Sequence, residues 1–489
     1  MRTLTIASVL SLGCVIAANA QTDWPSFGGD SQRTGWERSD TRIKAGNVED
    51  FELVLKRQFP DVPAGPRALT PPVVVGLLIS YRGFKELALV ADNSGTIWSL
   101  DADLNRVFWK RQLAPVQPAA GCSPSATAMP GLVPPRMFGA RSSTAGQRRP
   151  ALPGNGFGEV RPVFAVSGDG KLHKLNTSDG SDISAPINFL PAGTIASPLT
   201  IHDGTIYAAS QSNCGGAASG IWAIDLTASD PTAVNYTWQG PSAPGLGGPA
   251  FGTDGTVYLQ TVADTILSFT PNNLMLKARF TLPTSAAGSA ELNVPTPVVF
   301  PFDGKDLIVS SSSDGRLFVL DAKSFGGPGH NTPLSQTQPL AAAGGGIWGA
   351  LSSWRDPDGN RWVLAPVQGK LNPGLKPSKT NGPVSNGAIV AFRVEVRDGK
   401  PILNPMWASR DISSPLPPVI TSGAVFALSA GPTHAVLYGL NAKTGEEIYS
   451  TGKQVTAPAT LTGLTLSNGR VYFTTVDGTL YAFGVHLEI

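Results

Sequence analysis

Charge is scarce in this chain. Asp, Glu, Lys and Arg make up 15% of its 489 residues, and the formal net charge is +2. So even a balance supplies no general field for nucleic acid or an anionic lipid surface, and neither is expected as a partner. Cysteine is nearly absent, confined to Cys14, Cys122 and Cys214. No Cys-x-x-Cys-His occurs, which excludes a covalently attached haem. The five histidines, His173, His202, His330, His434 and His486, are scattered, and none stands at metal-site spacing. No metal site is therefore expected. His173 replaces an aromatic at a repeated position and reads as a packed or edge side chain. Nucleophile elbows and P-loops are missing as well. Helix-period stretches of more than a few turns are also lacking. Beyond residue 20 no apolar run is long enough to cross a bilayer.

What is abundant is turn chemistry, with 55 Gly and 42 Pro. The N-terminus reads as an export signal: Arg2, then an uncharged stretch from Leu4 to Ala18, then Ala18-Asn19-Ala20. Cleavage is expected before Gln21, leaving residues 21–489 as one unit in the periplasm or secreted. A lipid anchor on Cys14 is the rival reading, but Ser11-Leu12-Gly13 lacks the aliphatic residue expected three places before the cysteine. Export permits a disulfide between Cys122 and Cys214. A bonded pair and two separate thiols both fit the sequence.

One pattern recurs along the chain: a small or turn residue, alternating apolar positions, then often Asp or Asn. It begins at Gly95, Gly170, Gly220, Asp264, Gly315, Gly387, Ala435 and Gly478. Typical copies are Gly95-Thr96-Ile97-Trp98-Ser99-Leu100-Asp101 and Gly315-Arg316-Leu317-Phe318-Val319-Leu320-Asp321. Five of the seven steps between copies are 43 to 51 residues, the length of one four-stranded propeller blade. The two longer steps contain insertions at 114–158 and 370–386.

Each copy follows another apolar strand, such as Val471-Tyr472-Phe473-Thr474, across an Asp-Gly type turn. Two alternating runs so joined predict a β-hairpin. A third strand upstream opens on proline, as in Ser197-Pro198-Leu199 and Thr296-Pro297-Val298. Proline is tolerated at a first strand residue, where the ladder does not yet need its N–H. A fourth, edge strand follows, such as Val107-Phe108-Trp109-Lys110. The eighth copy ends one strand short, and Phe51 to Arg57 has the pattern of the missing outer strand. The fold expected is all-β: an eight-bladed propeller of four-stranded antiparallel blades, closed by its N-terminal strand.

These repeats resemble those of PQQ-type quinoprotein propellers. Asn441-Ala442-Lys443-Thr444-Gly445-Glu446-Glu447-Ile448-Tyr449 is similar to their blade-docking motif. Asp23-Trp24-Pro25-Ser26-Phe27-Gly28-Gly29-Asp30, followed by Arg33-Thr34-Gly35, is similar to their N-terminal signature. Secreted PQQ-like repeat proteins related to polyvinyl alcohol dehydrogenase look most alike. The propeller subunit of the outer-membrane β-barrel assembly machine is a more distant likeness.

The resemblance implies two functions. In alcohol-oxidising members an Asp base works beside PQQ and calcium on the propeller axis. Here the comparable stretch, Glu291-Leu292-Asn293-Val294-Pro295, offers Glu291 as the base; its other reading is a turn carboxylate. Asn293, Gly346 and Trp348 are the corresponding cofactor-binding candidates. Ile347 stands where an amide is expected, and Trp348 alternatively packs a blade. Adjacent cysteines that stack on the quinone are replaced by the distant Cys122 and Cys214. The other function is a non-catalytic exported scaffold, a monomer that needs no cofactor and presents blade loops to a protein, polymer or small ligand. These departures favour the scaffold.

Two further motifs are discounted, the second of them as a turn between strands. Gly344-Gly345-Gly346-Ile347-Trp348-Gly349 satisfies G-x-G-x-x-G without the strand and helix that dinucleotide binding requires. Asp356-Pro357-Asp358-Gly359-Asn360 lacks the later glutamate of a calcium loop. The insertions read as flexible excursions or as caps, with Arg136, Arg141, Arg148 and Arg149 in the first and Lys370, Lys376 and Lys379 in the second.

Overall fold

Short alternating runs broken by Gly and Asp turns fold as expected into hairpins, and the hairpins stack into eight separate sheets. The computed structural model describes residues 23–66, 68–80, 83–92, 94–115, 132–133, 162–211, 218–238, 247–284, 296–326, 330 and 332–485. Blade 1 spans residues 73–112, blade 2 132–188, blade 3 195–238, blade 4 250–281, blade 5 298–336, blade 6 346–408 and blade 7 419–450. Blade 8 takes its first three strands from 465–484 and its outer strand from Glu52–Gln58.

That last pairing closes the ring. Leu53 lies opposite Phe483, Lys56 opposite Tyr481 and Gln58 opposite Thr479, antiparallel, with a bulge between Leu53 and Leu55. The pairing hides the strand edge that an open ring would expose.

All eight sequence repeats form the third strand of a blade, from Thr96–Asp101 in blade 1 to Thr479–Gly484 in blade 8. The turns before them need glycine in a left-handed conformation, with φ of 84° at Gly95 and 76° at Gly478. First strands of neighbouring blades approach one another, which places them around the axis. Middle strands such as Thr96–Asp101 and Thr479–Gly484 are buried throughout, whereas outer strands such as Arg106–Gln112 alternate exposed and covered residues.

Adjacent blades lock through an aromatic ring set on a glycine. Trp109 of blade 1 donates its Nε1–H to Thr177 O at 2.7 Å, and a methyl on Gly180 would fall 2.6 Å from its ring. Trp407 of blade 6 repeats this on blade 7, donating to Ala442 O at 3.0 Å and covering Gly445. Phe280 of blade 4 covers Gly326 of blade 5 in the same way. Thr-Gly in the docking motif thus supplies a bare backbone surface for the preceding blade's ring. Tyr449, the later aromatic of that motif, meets Phe51 edge-on at 5.7 Å, next to the closing strand.

Both insertions contribute to the ring. Leu132–Val133, inside the first, pairs with Phe164 and Ala165 as the first strand of blade 2. Lys379–Thr380, inside the second, pairs parallel with Trp407–Ala408 and extends the edge of blade 6. Asn381 ties that edge to blade 7, donating to Ala408 O and Thr444 O at 2.9 Å each. No helix among the described residues is long and apolar enough to cross a membrane.

Candidate functional site at the propeller axis

The segment from Trp24 to Arg42 has almost no secondary structure of its own, yet its backbone polar groups are paired around the ring. Trp24 exchanges both backbone hydrogen bonds with Val74 of blade 1, at 3.0 and 3.1 Å. Ser31 O then accepts from Phe251 N of blade 4 at 3.0 Å, and Gln32 O from Val299 N of blade 5 at 3.1 Å. Thr34 O accepts from Ser353 N of blade 6 and Gly35 O from Ile420 N of blade 7, both at 2.8 Å. Trp36–Glu37 continues as a parallel strand beside Ile420–Thr421. Asp40 Oδ2 accepts from Gly469 N of blade 8 at 2.7 Å. Successive residues therefore serve successive blades, which requires the segment to run around and across the axis.

Arg33 anchors its middle. The side chain is 1% exposed, and no carboxylate among the described residues lies within ion-pair distance. Its Nε donates to Pro249 O of blade 4 at 2.9 Å, Nη1 to Phe27 O and to Ser26 Oγ, and Nη2 to Thr200 Oγ1 of blade 3. A buried charge is tolerated only when its donors find partners, and here four neutral oxygens take four of the five N–H groups. Burial pulls the guanidinium pKa down to about 10, with the Asp30 charge opposing, so it stays protonated at neutral pH. With these contacts the segment reaches seven blades.

Phe27 fills the centre. A methyl on Gly247, at the entry to blade 4, would lie 2.8 Å from its ring, and one on Gly463, at the entry to blade 8, 3.2 Å. Blades 4 and 8 are opposite members of an eight-blade ring, so the phenyl bridges the axis. Trp36 is held farther along, with Arg38 4.7 Å and Arg361 5.9 Å from its ring. Asp30 accepts from Thr34 N at 2.9 Å, Thr34 Oγ1 at 2.6 Å and Arg38 Nη2 at 3.2 Å.

Of the site residues expected from the sequence, Gly346, Ile347 and Trp348 lie at the first strand of blade 6, and the others fall outside the described residues. Gly346 and Ile347 are buried in blade 6, paired with Gln368 and Val367. Trp348 is half-buried, donates its N–H to Pro366 O at 3.1 Å, and packs on the apolar cluster of blades 7, 8 and 1. Glu291, Asn293, Cys122 and Cys214 lie outside the described residues. His173 is an edge histidine, with Nδ1 2.8 Å from Asp182 Oδ1 and Nε2 3.1 Å from Ser167 Oγ. The motif at 356–360 is a turn, in which Asp356 accepts from Asn360 N at 2.8 Å and from Trp362 Nε1 at 2.9 Å, whereas residues 344–349 contain the first strand of blade 6.

PQQ with calcium on the axis would need room for a tricyclic ring and several oxygen ligands for the metal. Where residues 26–35 cross, the axis holds a phenyl ring, a buried guanidinium and peptide groups. No three His, Cys, Asp or Glu side chains come together among the described residues.

No protein-family profile matches the chain, and no curated protein does. Solved structures match along nearly all of it. The quinohemoprotein alcohol dehydrogenase of Comamonas testosteroni superposes with a TM-score of 0.53 at 14% identity, over 97% of this chain and 82% of that one. A europium-containing methanol dehydrogenase gives 0.58 at 13% identity, over 95% and 98%. BamB of Moraxella catarrhalis gives 0.50 at 14% identity, over 90% and 99%. At such identities the likeness shows the fold alone: this chain is an eight-bladed β-propeller, folded like those structures.

Proposed function

We propose that this chain is an exported, non-catalytic scaffold whose stiff ring presents blade loops to a protein, polymer or small ligand. The observation that supports this reading is the N-terminal segment across the axis, with Phe27 spanning blades 4 and 8 and Arg33 bonded into blades 3 and 4. A segment held by seven blades is part of the ring, and it takes axial space that a prosthetic group would otherwise use. The rim and the loop faces remain for recognition. The fold likeness does not choose, since the structures it includes are titled as dehydrogenases and as BamB.

The second reading is a PQQ-dependent dehydrogenase of an alcohol or polymer, with Glu291 as base and Asn293, Gly346 and Trp348 near the cofactor. It is favoured by the length of chain shared with the methanol dehydrogenase. The test is a titration of the mature chain with PQQ and Ca²⁺, read as bound-quinone absorbance and dye-linked alcohol oxidation. The scaffold reading expects no binding up to tens of micromolar PQQ, weaker than about −6 kcal/mol. Tight binding, with turnover abolished in Glu291→Gln, would establish the enzyme instead.

A further inference from the structure

The seam between blades 2 and 3 lacks the aromatic lock found at three other seams. In blade 1 the locking ring, Trp109, stands opposite Ser99, the third residue from the end of the third strand. The matching residue of blade 2 is Lys174, in Lys171–Asn176. Opposite it the chain runs Ile183-Ser184-Ala185, where Ile183 N bonds Lys174 O at 2.8 Å, and the next ring, Phe189, is buried in the apolar cluster of blades 2 and 3 rather than set on a glycine of blade 3. The receiving turn of blade 3, Leu226-Thr227-Ala228-Ser229-Asp230-Pro231, also lacks the glycine on which such a ring would rest.

A pocket of about 200 Å³ occupies this place. Phe164, Leu172 and Ile187 of blade 2 form one wall, and Leu226 and Pro231 of blade 3 the other. Ser184 and Ala185 stand where the missing ring would be rooted. The exposed Lys174 lies at the rim, placed to set an ammonium over the face of a bound ring. A cavity of about 150 Å³ lined by apolar side chains suffices for benzene, so this one has room for an indole.

We propose that the blade 2–blade 3 pocket receives an aromatic side chain, best an indole, carried by a partner polypeptide. The ring would complete from outside the lock that Trp109, Trp407 and Phe280 complete from within. The pocket lies on a blade seam away from the axis, so its occupancy does not depend on whether the chain binds PQQ.

The experiment is ligand-observed NMR on the mature chain with N-acetyltryptophanamide and, separately, indole. The blocked amino acid should bind saturably with a Kd of about 1 mM, as a single anchor does without the rest of its chain. Ala185→Trp, which roots a ring in the vacant place, should weaken that binding at least about tenfold and raise the unfolding temperature. Leu226→Asp should weaken it as much, giving a second route if the tryptophan variant does not fold. No saturation up to roughly 20 mM, or unchanged binding in both variants, overturns the proposal. So does saturation by indole with the blocked amino acid excluded, because the pocket would then admit only free rings.

Discussion

Replacing Arg33 by methionine probes the axial segment with little change in side-chain length. The guanidinium serves four oxygens in three places: its own segment, blade 3 and blade 4. The hydroxyls of Ser26 and Thr200 can turn to other partners, but the carbonyls of Phe27 and Pro249 would be left bare. A buried acceptor without a donor costs about 1–3 kcal/mol, so the two together cost about 2–6. Removing a buried charge that lacks a counter-ion returns part of its desolvation cost. The net expectation is a loss of about 2–4 kcal/mol. Arg33→Lys should fall between, since an ammonium keeps the charge but has three donors and no fork. Urea unfolding followed by tryptophan fluorescence reads the change, with the slope checked against the parent to confirm that the same surface unfolds. An Arg33→Met protein as stable as the parent would refute the view that this residue fastens the segment to the ring.

Other perturbations have equally definite outcomes. Gly445→Ala should destabilise by about 2–4 kcal/mol in the same assay, because φ there is 71° and a Cβ would collide with the Trp407 ring. Gly452→Ala, with φ of 52° and open space around it, should cost only the backbone part, about 1 kcal/mol. Glu86 is buried at the closing seam, where Arg470 faces it at 3.6 Å, Tyr472 and Asn468 donate to it, and Asp103 lies close. Burial outweighs these partners and raises its pKa above the ordinary 4.5, with Arg470, Tyr472 and Asn468 opposing. A carboxyl raised on folding adds stability below its unfolded pKa and loses it as pH climbs through the folded value. Glu86→Gln should therefore flatten the fall in urea midpoint between pH 4.5 and neutrality; a parent protein with no such fall would contradict the assignment.

The ring was legible in the sequence because its determinants are local. Alternation recurs in each unit, Asp-Gly turns and strand-opening prolines in several, and the unpaired final repeat called for a strand like Glu52–Gln58. The axial segment was not, for a physical reason. Its partners lie far along the chain, Thr200 for Arg33 and Gly469 for Asp40, and its hydrogen bonds follow the spacing of blades rather than any period of its own. Arg33-Thr34-Gly35 stood out only as part of a signature, with no role attached. Short edge pairings escaped for a related reason. Leu132–Val133 and Lys379–Thr380 are two residues each, too short for periodicity to register. Trp348, a tryptophan beside glycines, packs on residues from blades 7, 8 and 1, contacts that no local pattern could have shown.

The central claim is that residues 24–40 run across the axis and are bonded to the blades there. Hydrogen exchange at four backbone amides tests it directly: Phe251, Val299, Ser353 and Ile420, each donating to the segment. The account predicts that all four are protected like mid-blade amides in the mature chain, and exposed together when residues 21–42 are removed. Exchange at the rate of free edge amides in the intact protein, or protection unchanged by the deletion, would contradict it.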